Sequence, residues 1–109
     1  MAKIASKVQQ KISRVDAQKF LAPVPDGFVF WCNDGRVLHD MRELADGLIH
    51  MSDETYAYHS NFEKKDFANW VRDIIKDEAL AKELEKPISR AEAAKTVNQR
   101  VAVLSANLR

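Results

Sequence analysis

Five of the nine aromatic side chains fall between Ser52 and Ile75: Tyr56, Tyr58, Phe62, Phe67 and Trp70. His59, Asn61, Asn69 and Arg72 are threaded between them. Bulky rings interleaved with neutral amides build a specific, ordered junction, because each ring needs close packing and each amide needs a partner. This block is therefore predicted to organise the domain. Trp70 is expected to be buried beside Phe67 and Leu44.

The segments around it read as short elements. Phe28–Cys32 has strand-forming residues, Asp34-Gly35 is a two-residue hairpin signal demanding positive φ at both positions, and Arg36–His39 returns. Because Phe28, Phe30 and Cys32 lie on one side and Val29 and Trp31 on the other, the pattern leaves open which face is covered. A lone hairpin is marginal in water, so helices must cover one face. Asp40 caps a helix to about Met51 with Met41, Leu44, Ala45, Leu48 and Ile49 in its stripe. Ser52 opens a helix to about Ser60, a helix follows over 63–75, and Asp77 opens another that Pro87 stops. Ser89-Arg90-Ala91-Glu92 is a capping box. It starts a last helix with a seam of Ala94, Val97, Val101, Leu104 and Leu108. The expected fold is α+β, helix-dominated: a β-hairpin at about 28–39 packed by four or five helices.

Asp34-Gly35-Arg36, Leu44-Ala45, the Tyr58-His59-x-Asn61 run and Asp66-Phe67-Ala68-Asn69-Trp70-Val71-Arg72-Asp73 carry a resemblance. Over about Phe28 to Leu104 the chain resembles a small prokaryotic domain family, frequent in archaea and of unknown function. Lys64-Lys65-Asp66-Phe67 stands where that family is expected to read Lys-Asn-Asp-Phe. The resemblance implies a compact mixed domain, often preceded by a basic tail and occasionally attached to carbohydrate-active enzymes. It supplies no catalytic residue.

Length supports one domain. Residues 1–21 hold Lys3, Lys7, Lys11, Arg14 and Lys19 against Asp16, a net +4. The remaining twelve bases and fifteen acids leave the body at −3. The chain thus divides into a basic amphipathic arm with a Pro-containing linker over 1–27 and a compact domain over 28–109. Ile4, Val8, Ile12 and Val15 give the arm a narrow helical stripe, too β-branched to fold alone. Pro23 and Pro25 are expected to isolate it from the hairpin. Its five basic residues are the candidate contacts to an anionic partner. A lone Cys32 excludes an internal disulfide and suits the cytoplasm. No stretch is apolar enough to span a bilayer, and the arm lacks aromatic anchors, so a membrane partner is not expected.

No catalytic constellation emerges. His39, His50 and His59 match no metal-ligand spacing, and Gly27, Gly35 and Gly47 are isolated, so no phosphate-binding loop is present. His59-x-Asn61 with Asn69 has a superficial nuclease look but no acidic cluster tied to it. A structural role is preferred, with His59 and Asn61 bonding free backbone groups at a helix junction. Lys65, Asn69 and Arg72 form the candidate partner-binding patch. The leading expectation is a non-catalytic protein-interaction module without cofactor or metal. The alternative is a nucleic-acid-associated protein whose arm contacts phosphates regardless of sequence. Two outcomes are open for the arm: a free basic tail, or a helix that pairs with the last helix's seam or with a second chain, and intermolecular pairing would give weak self-association.

Overall fold

In a computed structural model the described residues run from 12 to 108. They form six α-helices and one antiparallel hairpin. In chain order these are α1 (Arg14–Leu21), β1 (Phe30–Trp31), β2 (Val37–Leu38), α2 (Met41–His50), α3 (Asp53–His59), α4 (Asp66–Trp70), α5 (Glu78–Leu84) and α6 (Arg90–Ala106). The fold class is α+β and helix-dominated, as its sequence pattern predicts.

The caps explain most helix starts. Asp40, Ser52 and Asp77 accept the backbone N–H three residues on, and Ser89 with Glu92 closes a reciprocal capping box. The α2 stripe is buried through Met41, Leu44, Ala45 and Leu48, but Ile49 is exposed. Each fully buried Leu or Met contributes about 1.5–3 kcal/mol of transfer free energy. Helix α6 packs chiefly on α2 and also receives α1 and α5. Gly47 sits where α2 meets the hairpin, and a Cβ there would lie 3.1 Å from Leu38 Cδ2.

Phe30 pairs with Leu38 and Trp31 with Val37. Phe30 and Cys32 face the core while Trp31 faces out, so the covered face is the Phe30 face; Phe28, expected on that side, instead ends a short 3₁₀ turn before β1 and is exposed. The turn differs from the two-residue form. Cys32 N–H donates to Arg36 O at 2.8 Å and Gly35 N–H to Cys32 O at 3.0 Å, enclosing a three-residue loop. Gly35 has φ +95, whereas Asp34 does not have positive φ. One left-handed glycine closing a tight turn is the bulged hairpin form, which needs positive φ once rather than twice.

The arm is the second difference. Lys3, Lys7, Lys11, Ile4 and Val8 lie outside the described residues. Among the described residues, Ser13 caps α1 by accepting the Asp16 N–H at 3.0 Å. Ala17 and Leu21 are buried in the main core, and α1 packs on α6. The Pro23–Pro25 linker is also held, since Val24 N–H donates to His39 O at 2.8 Å. Residues 14–24 therefore pack as part of the body. The expected stripe is not the buried one: Val15 is 70% exposed, and Ala17 and Leu21 bury instead, so tertiary contact rather than the local pattern decides which face packs.

Between α4 and α5 the chain widens into a turn over Val71–Ile75. Val71 O accepts from Lys76 N at 2.7 Å and Asp77 N at 3.2 Å. Lys76 leaves this turn at φ 80, the one non-glycine with positive φ among the described residues. Asp77, 1% exposed, then receives Arg100 Nε at 2.7 Å and Nη2 at 2.8 Å. This paired charge ties the start of α5 to α6.

Trp70 is buried, touches Phe30 at 5.7 Å between ring centroids, and donates its Nε1–H to Phe28 O at 2.8 Å. Trp70→Ala is expected to remove ~3–5 kcal/mol, measured as a shift of the urea midpoint. An unchanged midpoint would show that the ring does not anchor the hairpin. Lys76→Gly, which relieves the left-handed strain, is expected to stabilise the fold by about 0.5–1 kcal/mol. That corresponds to a rise of a few degrees in Tm by calorimetry.

Candidate interaction surface

His59 ends α3 and is 5% exposed. Its Nε2 lies 2.9 Å from the Asn33 amide nitrogen, and its Nδ1 lies 3.0 Å from Asp66 Oδ2. A backbone amide can only donate, so Nε2 is the acceptor and Nδ1 carries the hydrogen given to Asp66. One ring thereby holds the hairpin loop, the end of α3 and the start of α4. Its faces and edges meet Phe30 at 5.1 Å, Phe67 at 5.4 Å and Tyr58 at 4.9 Å.

Asn61 shapes the loop between α3 and α4. Its Nδ2 donates to Ala57 O at 2.7 Å, and its Oδ1 accepts from Glu63 N at 2.9 Å and Lys64 N at 3.0 Å. The first bond satisfies a carbonyl at the end of α3, and the others fold the chain back. Asn61 N–H also donates to Lys64 O at 2.8 Å, and Ser60 pairs with Lys65. Phe62 stands inside this closed loop and is 100% exposed.

Two more rings stand open around the same joint. Trp31, 70% exposed, projects from the outer face of β1, two residues before the amide bound by His59. Tyr58, 51% exposed, packs edge-on against His59. Lys64 Nζ lies 3.9 Å from the Tyr58 ring centroid and 3.4 Å from Asp66 Oδ2. A cation over a ring face adds roughly 0.5–1 kcal/mol at such sites and fixes ring and lysine together.

The sequence-derived patch lies on α4 and the turn after it. Arg72 Nη2 donates to Asn69 Oδ1 at 2.8 Å, Nη1 to Glu85 Oε2 at 2.9 Å and Nε to Asp73 Oδ1 at 3.1 Å. Asn69 and Arg72 are thus together, but the guanidinium is already engaged on three sides. Lys65, half-buried, precedes α4. Of the arm candidates, Arg14 and Lys19 are exposed, and no described carboxylate forms an ion pair with either.

A shallow groove of about 390 Å³ opens between α1 and the start of α5. Ile12, Phe20, Lys76, Asp77 and Arg100 line it. Its most buried carboxylate, Asp77, is already satisfied by Arg100. Among the described residues no three His, Cys, Asp or Glu side chains converge as a metal set. Comparison with protein-family models, curated proteins and solved structures gives no match to this chain.

Two titrating groups bear on the hairpin. Glu43 accepts from the His39 ring and from the His39 backbone N–H, which hold its carboxyl below the usual range. The exposed pair thus favours the fold above the ordinary Glu pKa and loses that contribution as pH falls. Cys32 is pushed up to about 11 by burial first and by the Asp34 charge second, with Arg36 opposing. Its thiol form is favoured in the fold, so this contribution is intact below the ordinary thiol range. It is lost as pH rises from about 9 towards 11. Folded protein at mildly alkaline pH is expected to resist alkylation at Cys32, whereas urea-unfolded chain reacts freely. The stability difference between wild type and Cys32→Ala should shrink as pH rises from about 9 towards 11. A pH-independent difference would contradict the burial of the thiol.

Proposed function

We propose that the domain is a non-catalytic protein-interaction module whose contact surface centres on Trp31, Tyr58 and Phe62. The observation that carries this reading is the exposure of three aromatic rings around one rigid joint. Exposed aromatic rings grouped on one surface mark interaction sites, and aromatic anchors dominate interface energetics. Lys65 closes the loop that displays Phe62, so it joins the surface, with Asn69 on α4 and Arg72 in the turn after it flanking it. The joint pre-organises the rings, since His59 and Asn61 satisfy its backbone groups before any partner arrives. The chain's place in the prokaryotic family that its Asp34–Arg36 and Tyr58–Asp73 segments resemble is part of the same proposal. So is a cytoplasmic setting, for which the single buried thiol is the support. No helix of the described residues is long and apolar enough to cross a membrane.

A second reading is supported by the exposed Arg14 and Lys19, which with Lys3, Lys7 and Lys11 would contact nucleic-acid phosphates. Self-association through the α6 seam has less support, because α2, α1 and α5 already pack on that helix.

Trp31→Ala and Phe62→Ala are expected to leave the fold within about 0.5 kcal/mol of wild type. Each should weaken capture of the partner from a source-cell extract by roughly thirtyfold, the scale of a 2 kcal/mol anchor. Capture that survives both substitutions and disappears with nuclease would replace this reading with the nucleic-acid one. Glutamine at Lys3, Lys7 and Lys11 would then flatten the salt dependence, by about 0.9 in log–log slope per lost DNA phosphate contact.

A further inference from the structure

The hairpin loop juxtaposes an aspartate, a glycine and open solvent, and its polar contacts engage both groups of a known peptide reaction, the glycine amide and the aspartate carboxylate. Asn33, Asp34 and Gly35 are all exposed. Gly35 lacks a Cβ, so nothing shields its amide nitrogen from the Asp34 side chain. In the closed hairpin that nitrogen is occupied, since its N–H donates to Cys32 O at 3.0 Å. The carboxylate is occupied too. Asp34 Oδ1 accepts the Arg36 N–H at 3.0 Å, and Oδ2 lies 3.4 Å from Arg36 Nε.

We propose that Asp34 is a site of spontaneous backbone isomerisation, held in check by the closed hairpin and released when the hairpin opens. On opening, the Gly35 amide nitrogen attacks Asp34 Cγ. A new N–Cγ bond forms, and the amide proton leaves with the carboxyl hydroxyl as water. The product is a five-membered imide. Water then adds to either imide carbonyl. Cleavage of the nitrogen's bond to the Asp34 main-chain carbonyl carbon leaves that carbon as a free carboxylate, and the chain now runs through Cγ as isoaspartate. One water leaves and one returns, so mass is unchanged and nothing is oxidised or reduced.

The modified chain carries one extra backbone carbon inside a three-residue loop. The Cys32–Arg36 bond and the Trp31–Val37 register cannot both be kept across it. The Asn33 amide is drawn off His59 Nε2, and the joint under Trp31 and Tyr58 loosens. Isomerisation at this one residue thereby ages the hairpin, whether or not the aromatic surface has a partner.

The test incubates wild-type protein at neutral pH, folded and in concentrated urea, with Asp34→Ser as the blank. Isoaspartate at residue 34 is read by peptide mapping with electron-based fragmentation. It is expected to accumulate at least about tenfold more slowly in the folded protein, the factor that matches 1.4 kcal/mol of local opening. Asp34→Ser should show none in that peptide. The isomerised fraction should melt below fresh protein. Equal rates in folded and unfolded chain would overturn the protection, and co-melting of the isomerised fraction would overturn its consequence for the hairpin.

Discussion

The structure depends on covering one face of Phe30. Each strand of the hairpin has two residues, too few to persist in water without support. Phe30 supplies the bulk that draws helices onto it. Its ring lies 5.0 Å from Phe67, 5.7 Å from Trp70 and 5.1 Å from His59. Two hydrogen bonds then fix what packing alone would leave free to slide: Trp70 Nε1–H to Phe28 O, and Asn33 N–H to His59 Nε2. Both donors and acceptors would be costly if left unpaired at these part-buried positions, so they specify one seating of the hairpin. The open rings of Trp31 and Tyr58 follow from the same seating, because each is the neighbour of a residue that is held.

A second joint works by charge. The wide turn at Val71–Ile75 ends α4 early and turns the chain through Lys76, which delivers Asp77 into the core. A buried carboxylate would be unstable alone. Arg100 meets it with two charge-assisted bonds, and Asp77 also accepts the Leu80 N–H at 3.2 Å. The neighbouring contacts of Asp77 fix the backbone there, the setting in which a left-handed lysine persists.

Where local chemistry decides the outcome, the chain could be read directly. Asp40, Ser52, Asp77 and Ser89 start helices because their side chains meet amides three residues on, and burial of Phe67 and Trp70 follows from their shared face. Legibility failed where distant contacts decide. Pairing of the arm with the last helix was one outcome open in the sequence, but nothing local chose it or showed that Ala17 and Leu21, rather than Val15, would be buried. The turn length was hidden because Asp34-Gly35 suits both a two-residue and a three-residue loop. The polar patch was half visible: spacing brings Asn69 to Arg72, but Glu85, which also holds that guanidinium, is thirteen residues away. The aromatic surface had a readable signal. Trp31 alternates against Phe30 and Cys32, and Tyr58 lies about 200° around the helix from the buried Tyr56. Phe62 had none beyond its place between Asn61 and Glu63.

The packing of α1 on α6 sets an order on synthesis. Ala17 and Leu21 leave the ribosome early, but part of the surface that buries them is made from residues 90–106. Until those residues emerge, α1 and the apolar face of α2 lack a main partner, while the hairpin can already meet α3 and α4. A nascent chain therefore closes from its middle outwards. Helix α1 waits exposed for α6, and a stalled ribosome would present that uncovered face to chaperones.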